Sequence, residues 1–162
     1  EPLWLIEARK YIGVSEIPGP QTASVISSWL HKLKAWWNSD ETPWCGVFVA
    51  ACIDSVGGYL PQNWMRAKAW EEAGTRLPEP IPGCIVVFER KGGGHVGFVV
   101  GKRASDNALM VLGGNQGNKV SIAPFSRERV VAYVWPKNFP IPAFAQLAGI
   151  SAAGMALSSN EA

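Results

Sequence analysis

Residues 41–51 read ETPWCGVFVAA. Thr42 can cap a helix, Pro43 fits its first turn because proline has no N–H to leave unpaired, and the apolar residues that follow suit a buried helix. Cys45 therefore falls at or just inside a helix N-terminus. There the free backbone N–H groups and the positive end of the macrodipole favour thiolate over thiol and supply donors for a developing oxyanion. This is where a nucleophilic cysteine belongs, although a free cysteine also packs well as a small hydrophobe. A nucleophile needs a base, and the base has to come from elsewhere in the chain.

Upstream, Leu3, Leu5, Ile6, Ala8 and Ile12 repeat close to helical spacing, and Gly13 can end that run. Pro18, Gly19 and Pro20 make a turn, and Ala23 to Trp37 form a second amphipathic run with Val25, Ile26, Trp29, Leu30 and Leu33 on one side. His31 lies opposite that face and is expected in solvent. Downstream, the cysteine helix should run through Ile53 and stop near Gly57 and Gly58. Cys52 sits deeper along it, where the dipole argument has lapsed, and reads as packing. Trp64 to Ala73 suggest a further helix, and Thr75 to Pro82 an extended connector.

From Gly83 the period changes. CIVVF, GHVGFVVG, ALMVLGG, KVSIAPF and RVVAYVWP are short, β-branched and aromatic, and Gly, Asn, Asp and Pro separate them. They predict about five consecutive antiparallel strands. Helices first and strands second predict an α+β fold in which N-terminal helices pack on one face of a C-terminal sheet. A chain of 162 residues has room for one such domain. The two halves are each incomplete layers, so residues 1–137 are taken as one domain and 138–162 as a tail containing Ala, Pro and Gly. Docking on the domain, contact with a membrane and connection to another segment all stay open for that tail. Pro140 and Pro142 nonetheless cut its apolar run below the length of a spanning helix.

With 48% hydrophobic and 17% charged residues the chain is globular and not disordered. A net charge of +2 with Lys and Arg scattered gives no nucleic-acid footprint. Three cysteines cannot all pair and none forms a CxxC, so neither a disulfide framework nor a zinc site is indicated, and no metal or other cofactor is expected.

The base is the other histidine. His95 follows Gly92 to Gly94 and opens a strand, so its imidazole can face a cleft. A cysteine nucleophile requires an imidazole to take its proton, and that imidazole requires a third group to fix its ring and tautomer. The next strand ends in GGNQGN, residues 113–118, and on neighbouring strands Asn115 or Gln116 can reach His95. Asn115 is chosen. Trp44, beside the nucleophile, and Trp64 are candidate walls of a substrate groove, and Glu41 can meet an amine of the substrate.

The order Cys, His, polar residue, with the cysteine on a helix and the others on strands, resembles the papain-like cysteine hydrolases of bacterial cell walls, the CHAP and NlpC-like group. EARKYIGVSEIPGP, DETPWCGVFV, PGCIVVF, GHVGFVVG, VLGGNQGNKVSIAPF and VAYVWP look more closely like a CHAP-related subgroup found in phage lysis proteins and secreted antibacterial effectors. The resemblance covers about Leu3 to Pro136. It implies a papain-like fold and a peptidoglycan amidase or endopeptidase, with Cys45 as nucleophile, His95 as general base and acid, and Asn115 orienting the imidazole. It also implies action in the periplasm or cell wall, reached through a secretion system or holin-type route since no leader opens the sequence shown. An immunity protein is a conceivable partner. Two positions depart from the pattern: Cys84 stands where the subgroup has aspartate, and Gly113 stands where many CHAP domains carry a glutamate two residues before the matching asparagine. The same triad can serve a transpeptidase or acyltransferase, and a non-catalytic wall-binding module can keep the fold without the chemistry.

Overall fold

The computed structural model describes residues 1–15, 24–35, 44–143 and 145–159. Among the described residues three α-helices precede the sheet: α1 (Leu3–Arg9), α2 (Ser24–Lys32) and α3 (Cys45–Ser55). Helix α3 is buried almost all round, with Cys45 to Ala50, Cys52 and Ile53 removed from solvent, as its unbroken apolar run requires. Its N-cap residue is Trp44 and not Thr42, with no side-chain cap; the Phe48 N–H to Trp44 carbonyl bond (3.0 Å) opens the ladder. Thr42, Pro43, Glu41 and the Pro18–Pro20 turn lie outside the described residues. The Gly57 N–H bonds Asp54 O and the Gly58 N–H bonds Ile53 O, which closes the helix where the glycines predict. On α2, Ile26, Trp29 and Leu30 are buried and His31 is exposed.

Residues 67–72 form a 3-10 helix, shorter and tighter than the α-helix expected for 64–73. The backbone ahead of it runs hard against the start of α3: a Cβ on Gly46 would lie 2.6 Å from Trp64 O and 2.8 Å from Met65 O. Only glycine permits that approach.

The sheet has seven strands: β1 (Gly74–Leu77), β2 (Ile85–Arg90), β3 (Gly93–Arg103), β4 (Leu109–Gly113), β5 (Ser121–Phe125), β6 (Val130–Pro136) and β7 (Gly149–Ile150). Their order is β1-β6-β2-β3-β4-β5, antiparallel throughout, with β7 parallel to the far end of β3. The five expected strands are β2 to β6. The connector after Thr75 contributes an additional edge strand, and the tail contributes β7.

Register slips at Val87/Phe88 and Val99/Gly101 coil the sheet. As a result Phe125, at the end of β5, stacks on Phe88 of β2 at 4.6 Å, although β3 and β4 lie between them in sheet order. Residues Ile85 to Phe88 and Val96 to Val99 are buried without alternation, because helices cover one face and the coil encloses the other. The Trp4 indole N–H to Gly83 O bond (2.8 Å) ties α1 to the entry of β2.

The tail is docked on the domain, but as irregular chain and a short strand, not a helix. Lys102 N–H bonds Ala148 O and Ala104 N–H bonds Ile150 O, both at 3.0 Å. Buried Arg103 donates to the carbonyls of Ala152 and Met155 and pairs with Asp106 at 2.8 Å. Among the described residues no helix is long and apolar enough to cross a membrane.

Candidate active site

Cys45 is the first residue of α3 and His95 the third of β3. The two elements pack directly. The backbone N–H groups of Val96, the residue next to His95, of Gly46 and of Cys45 itself act on the Cys45 sulfur in the direction that favours the thiolate. A sulfur from the helical half thus lies against the start of the strand that carries the imidazole. Cys45 keeps 7% of its surface exposed, whereas Cys52 and Cys84 keep none.

Burial pushes the Cys45 thiol above its ordinary value, and this outweighs the three N–H groups and the nearby Arg90 guanidinium, all of which favour the thiolate. The expectation of a thiol lowered by the helix terminus is therefore corrected: desolvation wins, and the resting cysteine is protonated. Cys84, with no exposed surface, is pushed up to about 12 and Cys52 well above the ordinary value, again by burial, as suits packing residues.

His95 is fully buried and its Nε2 lies 3.0 Å from Oε1 of Gln116. The Gln116 NH2 donates to Val111 O (3.1 Å) and Ser121 O (2.8 Å), so the oxygen is the end that faces the imidazole. His95 Nε2 must then carry the proton. Nδ1 is left with its lone pair, which is the state a general base needs.

The residue on Nε2 is Gln116, not Asn115. Asn115 is buried in the turn at φ +60, and that left-handed step swings the next side chain back across β4. Gly113 makes room for it: a Cβ there would sit 2.2 Å from Gln116 Oε1 and 3.4 Å from His95 Nε2. The glycine that breaks the CHAP-like pattern is thus the position whose missing side chain Gln116 replaces.

The ring plane of His95 is held from the side as well. Phe125 lies 5.3 Å away and 6° from parallel, Phe88 at 6.1 Å and 22°, and the Arg129 guanidinium covers both phenyl rings at 5.6 and 5.7 Å. Neither Phe125 nor Arg90 was singled out in the sequence, since each reads as an ordinary strand residue.

The groove residues fare differently. Trp44 has no exposed surface and packs against Trp29 (6.3 Å) and the backbone of Gly114, so it is core and not a groove wall. Glu41 lies outside the described residues. Trp64 is half-buried, with its backbone beside Gly46, and so stays next to the nucleophile. Among the described residues no group of three or more His, Cys, Asp or Glu could hold a metal ion.

An α+β domain with a helix-start thiol set against a sheet imidazole, itself held by an amide, defines a papain-like arrangement. The family model of the CHAP domain matches residues 37–115, from ahead of α3 to Asn115, and so takes in both Cys45 and His95. This supports a CHAP-type domain in that part of the chain and, in general terms, a hydrolase directed at peptidoglycan. No curated protein matches the chain.

Proposed function

We propose that the protein hydrolyses an amide bond in the peptide portion of peptidoglycan through a thioester on Cys45. The observation that carries this reading is the packing of the start of α3, with the Cys45 sulfur within reach of the Val96 N–H, against the start of β3 beside His95, with the Gln116 amide oxygen 3.0 Å from Nε2 so that Nδ1 is the unprotonated ring nitrogen. His95 Nδ1 takes the thiol proton as sulfur attacks the amide carbonyl, and the first-turn N–H groups of α3 receive the oxyanion. Collapse expels the amine, which leaves with the proton held on Nδ1. Water then gives a proton to the same nitrogen and attacks the thioester, releasing the acid and restoring the thiol. Because burial keeps the thiol protonated, the proton transfer belongs to the attack itself, and the base is indispensable.

Trp64, half-buried and with its backbone against the start of α3, is the described aromatic assigned to a wall of the substrate groove. Substrate of this kind places the protein at the bacterial wall, as a lysis enzyme or as an antibacterial effector with a cognate inhibitor. Digestion of purified sacculi, followed by mass spectrometry of the soluble products, tests the reading. New amine and carboxyl ends with wild type, and none with Cys45→Ala, support it. Cross-linked adducts would indicate transfer to an amine, and release by Cys45→Ala would remove the thiol mechanism.

A further inference from the structure

A histidine side chain ends in a soft torsion, because rotation about the Cβ–Cγ bond has broad wells in place of three staggered ones. The Nε2–H of the imidazole points roughly along that bond, and the Nδ1 lone pair points nearly across it. Turning the His95 ring therefore bends the bond from Nε2 to Gln116 Oε1 only a little, while it sweeps the Nδ1 lone pair through a wide arc. The amide decides which way round the ring sits, since a ring turned over would present carbon to Oε1. The plane needs a flat contact as well.

Rings from β2 and β5 supply it. Phe88 stands opposite His95 in the β2–β3 ladder, and Phe125 comes in from the end of β5. Phe125 lies 6° from parallel to the imidazole with the ring centres 5.3 Å apart, the separation of an offset stack. Phe125 is seated in turn on Phe88, at 4.6 Å and 18°. Both phenyls are fully buried. The Arg129 guanidinium covers them, with Nε donating to Glu89 O and Nη1 to Ser158 O, each at 3.1 Å. Aromatic pairs elsewhere in the core meet edge-on, as in Trp4–Trp135 at 71°, Tyr11–Trp29 at 90° and Phe48–Phe98 at 67°. Core packing alone thus does not impose parallel rings here, and the near-parallel set gathers around the imidazole.

We propose that Phe125 is a positioning residue: its face sets the plane of the His95 ring and, together with the Gln116 amide, aims Nδ1 at the Cys45 sulfur. The proposal rests on the reading of Cys45 and His95 as nucleophile and base. Phe125 has no exposed surface and does not meet substrate, so its loss acts on kcat and leaves KM in place. An aliphatic side chain of similar bulk fills the space but gives the imidazole no flat face to lie against.

The test compares the full-length wild type with Phe125→Met, Phe125→Leu, Phe125→Tyr and Phe139→Leu, each shown to be folded by thermal unfolding. Two aliphatic replacements are used so that one folded variant suffices. Phe139 packs on Trp4 of α1 and controls for lost aromatic packing as such. One readout is steady-state hydrolysis of a purified muropeptide. The other is alkylation of Cys45 by iodoacetamide at fixed pH without substrate, mapped by peptide mass spectrometry, which follows how well the imidazole draws the thiol proton. The aliphatic variants should lose about tenfold in kcat at constant KM, and Cys45 should alkylate several-fold more slowly. Phe125→Tyr, which keeps the flat ring, should return both to within about threefold of wild type, and Phe139→Leu should move neither. Unchanged kcat and alkylation in the aliphatic variants, a change in KM instead of kcat, a Tyr variant as slow as the aliphatic ones, or an equal loss in Phe139→Leu overturns the assignment. Because alkylation needs no substrate, the two readings fail separately. Slowed alkylation in a protein that digests nothing supports the stack and counts against the hydrolase, and digestion with unchanged kcat in the aliphatic variants does the reverse.

Discussion

Replacing Gln116 with Ala removes the acceptor 3.0 Å from His95 Nε2 and the donors to Val111 O and Ser121 O at 3.1 and 2.8 Å. His95 Nε2 and Val111 O are buried and Ser121 O partly so, and the fold loses about 1–3 kcal/mol through polar atoms left unmatched. The catalytic effect is separable. When Nδ1 takes the thiol proton the ring becomes cationic, and a hydrogen bond to a charged donor contributes about 1.5 kcal/mol or more, equivalent to roughly tenfold in rate. Loss of the fixed tautomer adds a factor of similar size, so kcat should fall about 10- to 100-fold. Gln116 is 2% exposed and cannot meet substrate, so KM should stay nearly constant. The assay is steady-state hydrolysis of a purified muropeptide, with thermal unfolding confirming that the variant is folded at the assay temperature. The comparator is Asn115→Gly, which keeps the turn because glycine adopts φ +60 freely. It should lower kcat much less. A larger loss in Asn115→Gly than in Gln116→Ala, or full activity in Gln116→Ala, would refute the assignment of the orienting amide.

Gly113→Ala should mimic much of that defect without touching Gln116, because the new methyl would stand 2.2 Å from Oε1 and force the amide off the imidazole; kcat should drop about tenfold while KM holds. Stability should fall as pH climbs from the ordinary thiol value of 9.0 towards about 12, because native Cys84 keeps a proton that the unfolded chain has lost; in Cys84→Val, urea unfolding at pH 8 and pH 10.5 should show a shallower decline than in wild type. Ending the chain at Lys137 should destabilise the domain by about 3 kcal/mol or more in urea unfolding, since the backbone bonds of Lys102 and Ala104, the Arg103 clamp and the Trp135 indole bond to Pro140 O all go. An unchanged midpoint would make the tail a dispensable appendage.

The architecture was legible in the sequence because its signals are local. The apolar run Val47 to Ile53 has no polar face, so it had to be a buried helix, and five β-branched runs punctuated by turn residues had to be strands. What escaped were short elements with weak patterns. Strand β1 is Gly-Thr-Arg-Leu directly ahead of Pro78, and its pairing to Trp135 and Pro136 is decided by the edge of a sheet formed about sixty residues later. Strand β7 has two residues and exists because β3 outruns β2.

The candidate site was legible as far as the placement of the two residues proposed to react, Cys45 at the start of α3 and His95 near the start of β3. Their identity follows from chemistry at a helix start and a strand start, which sequence position expresses directly. The orienting amide was not, because alternation along a strand stops at its turn, and the positive φ of Asn115 rotates the following side chain into the place of its neighbour. A glycine at the end of an otherwise buried strand was the clue: Gly113 marks where another side chain enters. The state of Cys45 was misjudged for a different reason. Position at a helix terminus can be read from the sequence, but depth cannot, and depth sets the desolvation that raises its pKa. Trp44 was misplaced in the same way, since it immediately precedes the helix and faces inward onto Trp29 and Gly114.

The central claim is that Cys45 carries the acyl group during turnover. Acid-quenching the wild-type protein milliseconds into reaction with a stem-peptide substrate, and mapping the adduct by peptide mass spectrometry, tests it most directly. The account predicts an acyl group on the peptide containing Cys45 and on neither Cys52 nor Cys84. Soluble products accumulating with no adduct at Cys45, or an adduct on a different residue, would contradict it.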